Sequence, residues 1–571
     1  MNQTAIPRPE YPRPQFVRAA WINLNGTWSY RTDRPESGEA RGFQHDAPFT
    51  ETITVPFCRE SRLSGIGEVD FCDSVWYRRE IDIPTAWRIP GRRVLLHIDA
   101  CDWKSEVWVN GVSVGCHVGG YTPVCIDITG NLSDRNVITV CAEDTLRSCA
   151  QPSGKQSQRY ASHGCSYTRT TGIWQSVWLE CVADSYIKSV RYFPDIKART
   201  LTVEAVLHGG DGLTFTAAAS YDSKPVGRAS AVVTGDHCVL TLQLDELHLW
   251  EVGQGRLYDL ELTLGEDRLT SYFGMRQLAL KDGMLYVNAR PVFQRLVLDQ
   301  GFYPDGIYTA PTDAELAADI ERSLACGFNG ARLHQKIFEP RFLYHCDRLG
   351  YIVWGEHANW GLDISQSAAF ESFMPEWLEC LERDFNHPAI IGWCPLNETQ
   401  RNQKSGFVRA LAALTRAYDP TRLFIDASGW CHVEGETDIM DWHDYDQDPV
   451  TFRARYETVA AGQTIHSNRN PMDIRPVFVS EYGGIRWAPG REGWGYGNAP
   501  ADEREFLDRF EGLTRALLEN PFVTGLCYTQ LTDVEQEVNG LYTYDRRHKF
   551  DVSLFHRVLS VPAASEKKHM E

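Results

Sequence analysis

The chain is predicted to be multidomain: an N-terminal β-sandwich of the jelly-roll type, an immunoglobulin-like β-sandwich, and a C-terminal (β/α)8 TIM barrel. Three observations lead there. At 571 residues the chain is too long for one hydrophobic core. Up to about residue 276 it reads as short β-runs broken by turn residues, whereas from residue 277 apolar runs alternate with amphipathic helical stretches.

Within residues 1–183 the runs VWYRREIDI, RVLLHIDA, KSEVWVNGVSVG, NVITVCAE and SVWLECV alternate in polarity, as in Val107 and Val109 against Trp108 and Asn110. Asn110-Gly111 marks a tight hairpin turn, and the economical architecture is a jelly-roll sandwich. Residues 184–276 repeat the style in SVRYFPDI, TLTVEAVLHG, AVVTGDHCVLTLQL and YDLELTLG, a length that suits an immunoglobulin-like sandwich. Over 277–571 eight strand-like runs follow: VFQRLVLD (292–299), FNGARLH (328–334), YIVWGE (351–356), AIIGWCPLNE (389–398), RLFIDAS (422–428), DIMDWHDY (438–445), PVFVSE (476–481) and VTGLCYTQL (523–531). Helical patterns such as DAELAADIERSLACG, PRFLYHCDRLG, FMPEWLECLERDF and REFLDRFEGLTRALLEN separate several of them, which is the pattern of a (β/α)8 barrel. The final PAASEKKHME is polar and reads as a loose tail.

Composition narrows the function class. A formal net charge of −19 argues against a nucleic-acid partner, which needs a basic face. No run approaches the roughly 18 apolar residues of a membrane span, and MNQTAIPRPEYPRPQF lacks the apolar core of a secretory signal. The 16 cysteines are scattered without CxxC pairs, which points to free thiols in a reducing compartment and hence to a cytoplasmic setting. The 17 Trp and 24 Tyr suit stacking on sugar rings as well as core packing. The expected partner is a small carbohydrate or glycoside, and a homo-oligomer is compatible with the sequence.

Two glutamates carry the chemistry. Glu398 closes the fourth run and Glu481 the seventh, so both fall at the C-terminal strand ends, where barrel enzymes hold their active sites. A carboxylate at the end of a buried strand does nothing for folding unless paired. Two facing carboxylates are what cleavage of a glycosidic bond requires. At the same level lie Asp299 on the first run, Arg332 and His334 on the second, Glu356 on the third, and His443 and Tyr445 on the sixth. Asp299 is placed to accept hydrogen bonds from sugar hydroxyls. Trp360, Trp442, Trp487 and Trp494 are candidate sugar platforms, and the Gly- and aromatic-rich IRWAPGREGWGYGN (485–498) is a candidate pocket loop. The jelly roll is expected to lend a loop to the pocket.

The strings RDFNHPAIIGWCPLNE (383–398) and PVFVSEYGG (476–484) resemble the acid/base and nucleophile signatures of glycoside hydrolase family 2, which includes β-galactosidases, β-glucuronidases and β-mannosidases. FNGARLHQ and FLYHCDRLGYIVWGE resemble its second and third strands, and LNGTW, VWYRRE, WVNG and GIWQSVWLE its N-terminal sugar-binding domain. The resemblance implies double displacement through a covalent glycosyl-enzyme, with Glu398 as acid/base and Glu481 as nucleophile. It further implies that Asn397 binds the sugar 2-hydroxyl, that Arg332 holds Glu481 ionised, and that Tyr445 or His443 supports the same carboxylate.

The family's β-glucuronidases carry an Asn-x-Lys that grips the uronate. Here Asn539 is followed by Gly540 and Leu541, and Asp533, Glu535 and Glu537 crowd the same segment. The leading expectation is therefore an exo-acting enzyme for a terminal neutral sugar, galactose-configured, of arabinose type or a furanoside. A β-glucuronidase with a non-standard uronate anchor and a non-catalytic carbohydrate-binding protein are the alternatives. Large β-galactosidases of the family bind Mg²⁺ through an added Glu and His. Glu356 and His357 are strand neighbours that point apart, so neither metal nor cofactor is expected.

Overall fold

The computed structural model describes residues 6–400, 405–461 and 477–570. Met1 to Ala5 of the N-terminal stretch, Pro476 of the seventh run and Glu571 of the tail lie outside the described residues.

The N-terminal body is a sandwich of two antiparallel sheets. The larger joins Glu51–Val55, Gly26–Thr32, Ser74–Ile81, Asn136–Glu143, Lys104–Val109 and Val112–Val118 in that spatial order. The smaller joins Trp21–Asn23, Val177–Ala183, Arg92–Ile98 and Val124–Asp127. Alternation sorts the side chains: Val107, Val109, Ile138 and Val140 meet Leu96, Ile98, Val177 and Leu179 between the sheets. Asn110 and Gly111 both take positive φ, 52° and 79°, as a primed hairpin turn demands. Trp108, of the opposite phase, is covered by stacking on Trp76 at 5.1 Å, beside Phe43.

The second body is also a sandwich. Tyr186–Asp195, Thr200–His208 and His237–Gln243 face a sheet of Lys224–Val232, Thr214–Tyr221, Tyr258–Leu264 and Asp267–Phe273. Leu201, Val203 and Ala205 pack against Leu260, Leu262 and Phe215.

All eight expected runs become parallel barrel strands: β1 (Gln294–Asp299), β2 (Gly330–Leu333), β3 (Ile352–Glu356), β4 (Ile390–Cys394), β5 (Leu423–Phe424), β6 (Met440–Asp444), β7 (Val477–Gly483) and β8 (Val523–Thr529). Their order is β5-β4-β3-β2-β1-β8-β7-β6. At the β5/β6 seam the Asp438 amide donates to the Phe424 carbonyl at 2.9 Å, and the Phe424 amide to the Asp438 carboxylate at 2.8 Å. The interior is filled: Trp354 lies over Phe478 and donates across the barrel to the Gln294 side chain at 2.8 Å.

The C-terminal tail differs from expectation. Ala564–Met570 is a helix, and Glu566 accepts from Arg295 Nη2 at 2.7 Å and from the Phe293 amide at 3.0 Å. Polar bonds rather than apolar periodicity fasten it, so hydrophobic patterning does not reveal it. None of the sixteen cysteines forms a disulfide, and most of them are buried.

Sandwich and barrel share one apolar cluster, in which Tyr121, Tyr167 and Trp174 pack with Phe302 and Tyr308. That contact sets the loops of the first sandwich over the C-terminal ends of the barrel strands.

Candidate active site

Beyond Cys394 the chain of β4 runs on beside the end of β5. Ser428 donates its amide to Leu396 O at 2.8 Å, and its carbonyl accepts from the Glu398 amide at 2.9 Å. Held there, Glu398 takes φ +52°, a left-handed conformation costing roughly 1–2 kcal/mol for a residue with a Cβ. Register shifts between Trp442 and His443 on β6, and between Val479 and Tyr482 on β7, re-aim His443 and Glu481 toward the same mouth.

One oxygen of Glu398, one ring nitrogen of His443 and one oxygen of Glu481 lie within 4.8 Å of one another. The imidazole spans the pair, with Nδ1 at 2.9 Å from Glu398 Oε1 and Nε2 at 3.3 Å from Glu481 Oε1. Arg332 Nη1 donates to Glu481 Oε1 at 3.0 Å, and the Tyr445 hydroxyl donates to Oε2 at 2.5 Å. Burial alone would push the Glu481 carboxyl up. The nearby His443 ring, the Arg332 charge and the Tyr445 hydrogen bond outweigh it and hold the carboxyl down to about 2. Glu481 is thus a buried, ionised carboxylate.

Arg332 is saturated by the remaining contacts: Nε to Glu356 Oε1 at 2.6 Å, Nη1 to Ser480 O at 2.8 Å and Nη2 to Asn397 Oδ1 at 3.2 Å. The last bond orients the Asn397 amide. Its Nδ2 is buried beside the carboxylates with no hydrogen-bond partner among the described residues. His334 Nδ1 lies 3.2 Å from Glu356 Oε2, and burial, with the Lys155 and Arg332 charges, pushes the imidazole well below its ordinary range, so it is neutral. Glu356 and His357 do point apart: His357 Nε2 sits 3.2 Å from Glu376 Oε2.

Two expected binding residues are not brought to this mouth. Asp299 accepts from the Gly301 amide at 2.9 Å, and burial with the Asp319 charge pushes its carboxyl up to about 6. The pleat is the reason, because Asp299 and the inward-reaching Gln294 are five residues apart on β1 and so face opposite sides. Trp487 stacks on Phe550 and tilts against Phe506 on the helix Glu503–Leu518. It is a packing residue, since the apolar face of that helix needs a partner. Trp360, just past β3, donates its amide to Gln335 Oε1 at 3.0 Å, and its ring carries the Lys155 ammonium.

Residues that sequence reasoning missed complete the site. Tyr496, in the flagged loop 485–498, stacks on Tyr445 with centroids 3.4 Å apart and planes 3° apart. Lys155 and Tyr167 come from the N-terminal sandwich. The Lys155 ammonium lies 3.9 Å over the Trp360 ring, and Tyr167 donates to Glu537 Oε2 at 2.5 Å. Their signal was length: residues 144–171 hold only a short 3₁₀ turn, far too much chain for an idle connection in a sandwich. The acids of 533–537 are occupied. Lys549 pairs with Asp533 at 2.8 Å, Glu535 accepts from the Thr168 amide at 3.0 Å, and Asn539 donates to Glu537 at 2.9 Å.

Residues 22–180 match the sugar binding domain of glycosyl hydrolases family 2, and residues 278–492 match that family's TIM barrel domain. The chain belongs to glycoside hydrolase family 2. This family-2 chain is 26% identical over 464 residues to a β-glucuronidase of Sus scrofa, covering 71% of this chain and 68% of the relative. It is 24% identical over 489 residues to a β-galactosidase of Thermoanaerobacterium thermosulfurigenes, covering 81% and 64%. The crystal structure of Ruminococcus gnavus β-glucuronidase superimposes with a TM-score of 0.80 at 18% identity, over 98% of this chain and 99% of that one. The family-2 chain is therefore a glycosidase with the family's sandwich-and-barrel fold.

Proposed function

We propose that the chain is a retaining exo-β-glycosidase in which Glu481 is the nucleophile and Glu398 the acid/base. The supporting observation is the approach of their oxygens to within 4.8 Å. Carboxyl groups about 5–5.5 Å apart act by double displacement, while inverting enzymes need roughly 6.5–9.5 Å to admit a water. Glu481, ionised by its surroundings, attacks the anomeric carbon as Glu398 gives its proton to the departing oxygen. Glu398 then takes a proton from the water that opens the glycosyl ester, and the sugar leaves with its anomeric configuration kept. Asn397 Nδ2 donates to the 2-hydroxyl, a bond that tightens as positive charge grows on the ring.

For the sugar, the missing Asn-x-Lys and the relatives named β-galactosidase support a neutral residue. Repulsion by the acids of 533–537 no longer supports it, because Lys549, the Thr168 amide and Tyr167 engage them. A uronide is the second reading. Relatives named β-glucuronidase support it, as does the position of Lys155.

The test is Glu481→Gly with azide. The variant should lose on the order of 10⁴-fold or more in kcat on aryl β-glycosides, and azide should restore release of the aryl group with an α-glycosyl azide as product. Parental turnover without azide would overturn the assignment. Sugar binding with no hydrolysis of any aryl glycoside would favour a carbohydrate-binding protein.

A further inference from the structure

The loop 144–171 is pinned on both flanks of the barrel mouth. On one side the amides of Ser153 and Gly154 donate to Trp360 O at 2.9 and 3.0 Å, and a Cβ on Gly154 would run into the Gln335 carbonyl just past β2. On the other, Tyr167 holds Glu537, and Gln536 donates to Gly164 O at 2.8 Å. Between these anchors the Tyr167 amide donates to Lys155 O at 2.7 Å, which fixes the lysine backbone. Lys155 itself is 5% exposed.

Its ammonium makes no ion pair and no hydrogen bond among the described residues; it rests on the face of Trp360. A ring face attracts the charge but satisfies none of three N–H donors. The neighbouring cations differ: Arg332 is saturated by Glu356, Glu481, Ser480 and Asn397, and Lys549 by Asp533 and Val538 O. Burial should strip the proton from Lys155, yet the fields of Cys165, Glu537, Glu481 and Glu398 more than offset it, so it stays charged. Asn359, next to Trp360 in the chain, accepts from the Asn397 amide at 2.9 Å and donates to the Asn397 carbonyl at 3.2 Å, so the ring on which the ammonium rests is tied to the residue beside Glu398. A buried cation held rigidly, with its donors unspent, is built for an anion that arrives with the substrate.

We infer that Lys155, delivered from the N-terminal sandwich and seated on Trp360, grips the carboxylate of the substrate's terminal sugar, so that the glycosidase acts on β-uronides. This rests on the retaining-glycosidase reading; it takes the uronide over the neutral sugar that the missing Asn-x-Lys favours, and adds a specificity-determining residue on another domain.

The experiment compares aryl β-glucuronide with β-glucoside, and aryl β-galacturonide with β-galactoside, each pair differing only in carboxylate against hydroxymethyl at C6. The full-length protein should favour one uronide over its neutral partner by at least about 100-fold in kcat/KM. Lys155→Met should collapse that ratio by about 100-fold, mostly through KM, while Lys155→Arg keeps most of it. Free uronic acid should inhibit the parent more strongly than the matching neutral sugar, and Lys155→Met should abolish the difference; this second readout needs folded protein only. A parent that prefers neutral sugars, or a ratio untouched in Lys155→Met, overturns the inference while leaving the glycosidase intact. Inertness toward all four glycosides, with no azide product from Glu481→Gly, overturns the glycosidase reading and this inference together.

Discussion

At the scale of single residues, Glu481 shows how an environment sets a chemical role. Burial favours the protonated form of a carboxyl, and only partners that prefer the anion reverse it. Arg332 supplies charge, His443 sets a ring nitrogen 3.3 Å from the first oxygen, and Tyr445 supplies a short hydrogen bond to the second. Tyr445→Phe removes that bond yet keeps the stacking on Tyr496. A hydrogen bond to a charged group contributes about 1.5–3 kcal/mol, so kcat/KM should fall about 10- to 100-fold. The carboxyl, released from its hold at about 2, should rise. The acidic limb of the kcat/KM profile, which reports the free enzyme's base, must then move to higher pH. A pH–rate series on the variant checks this, and a limb that stays in place would mean that Tyr445 does not act through Glu481.

At the scale of elements, loops rather than strands decide the pocket. Gly484, just past β7, takes φ +59°, and a Cβ there would run into the Tyr496 ring whose amide donates to Gly484 O at 2.9 Å. Gly484→Ala should displace Tyr496 from Tyr445 and lower kcat/KM by about tenfold or more, with a stability loss near 1–2 kcal/mol from the left-handed backbone. Kinetics alongside thermal melting separate the two effects, and unchanged kinetics would remove Tyr496 from the pocket. The same division explains what the sequence made legible. The eight barrel strands and both carboxylates were readable because buried parallel strands are continuous apolar runs and their ends are punctuated by charge. The directions of Asp299 and Trp487 were not legible, because reaching the rim says nothing about which face a side chain takes, a matter of pleat and of the helix packed outside. Lys155 and Tyr496 carry no periodic signal, since each reaches the mouth from a strandless loop whose path depends on contacts made by another domain or another strand.

At the scale of the whole molecule, the sandwiches are coupled to each other by charge. Arg18 donates from Nε to Asp267 of the second sandwich at 2.8 Å and from Nη1 to Glu180 of the first at 3.2 Å. Glu180 also lies 3.1 Å from His97 Nε2, and that imidazole stacks on Trp178. Burial works against both charges of the His97–Glu180 pair, and the partners prevail. Burial would lower His97, but Cys125 and Glu180 raise it to about 9; burial would raise Glu180, but His97 and Arg18 bring it down to about 2. A raised imidazole contributes stability that is complete below its unfolded value near 6.5 and disappears as pH climbs through about 9. A depressed carboxyl contributes above its unfolded value near 4.5 and loses that contribution as pH drops through about 2. The pair therefore stabilises the joint fully only between about pH 4.5 and 6.5, by an amount on the order of 2–3 kcal/mol. His97→Gln removes the imidazole together with its effect on Glu180 and Cys125. The melting-temperature gap between parent and variant should be widest near pH 5.5 and shrink steadily toward pH 10. A gap that stays constant from pH 5.5 to 10 would show that the imidazole carries no extra proton in the folded joint, leaving Arg18 alone to link the two carboxylates.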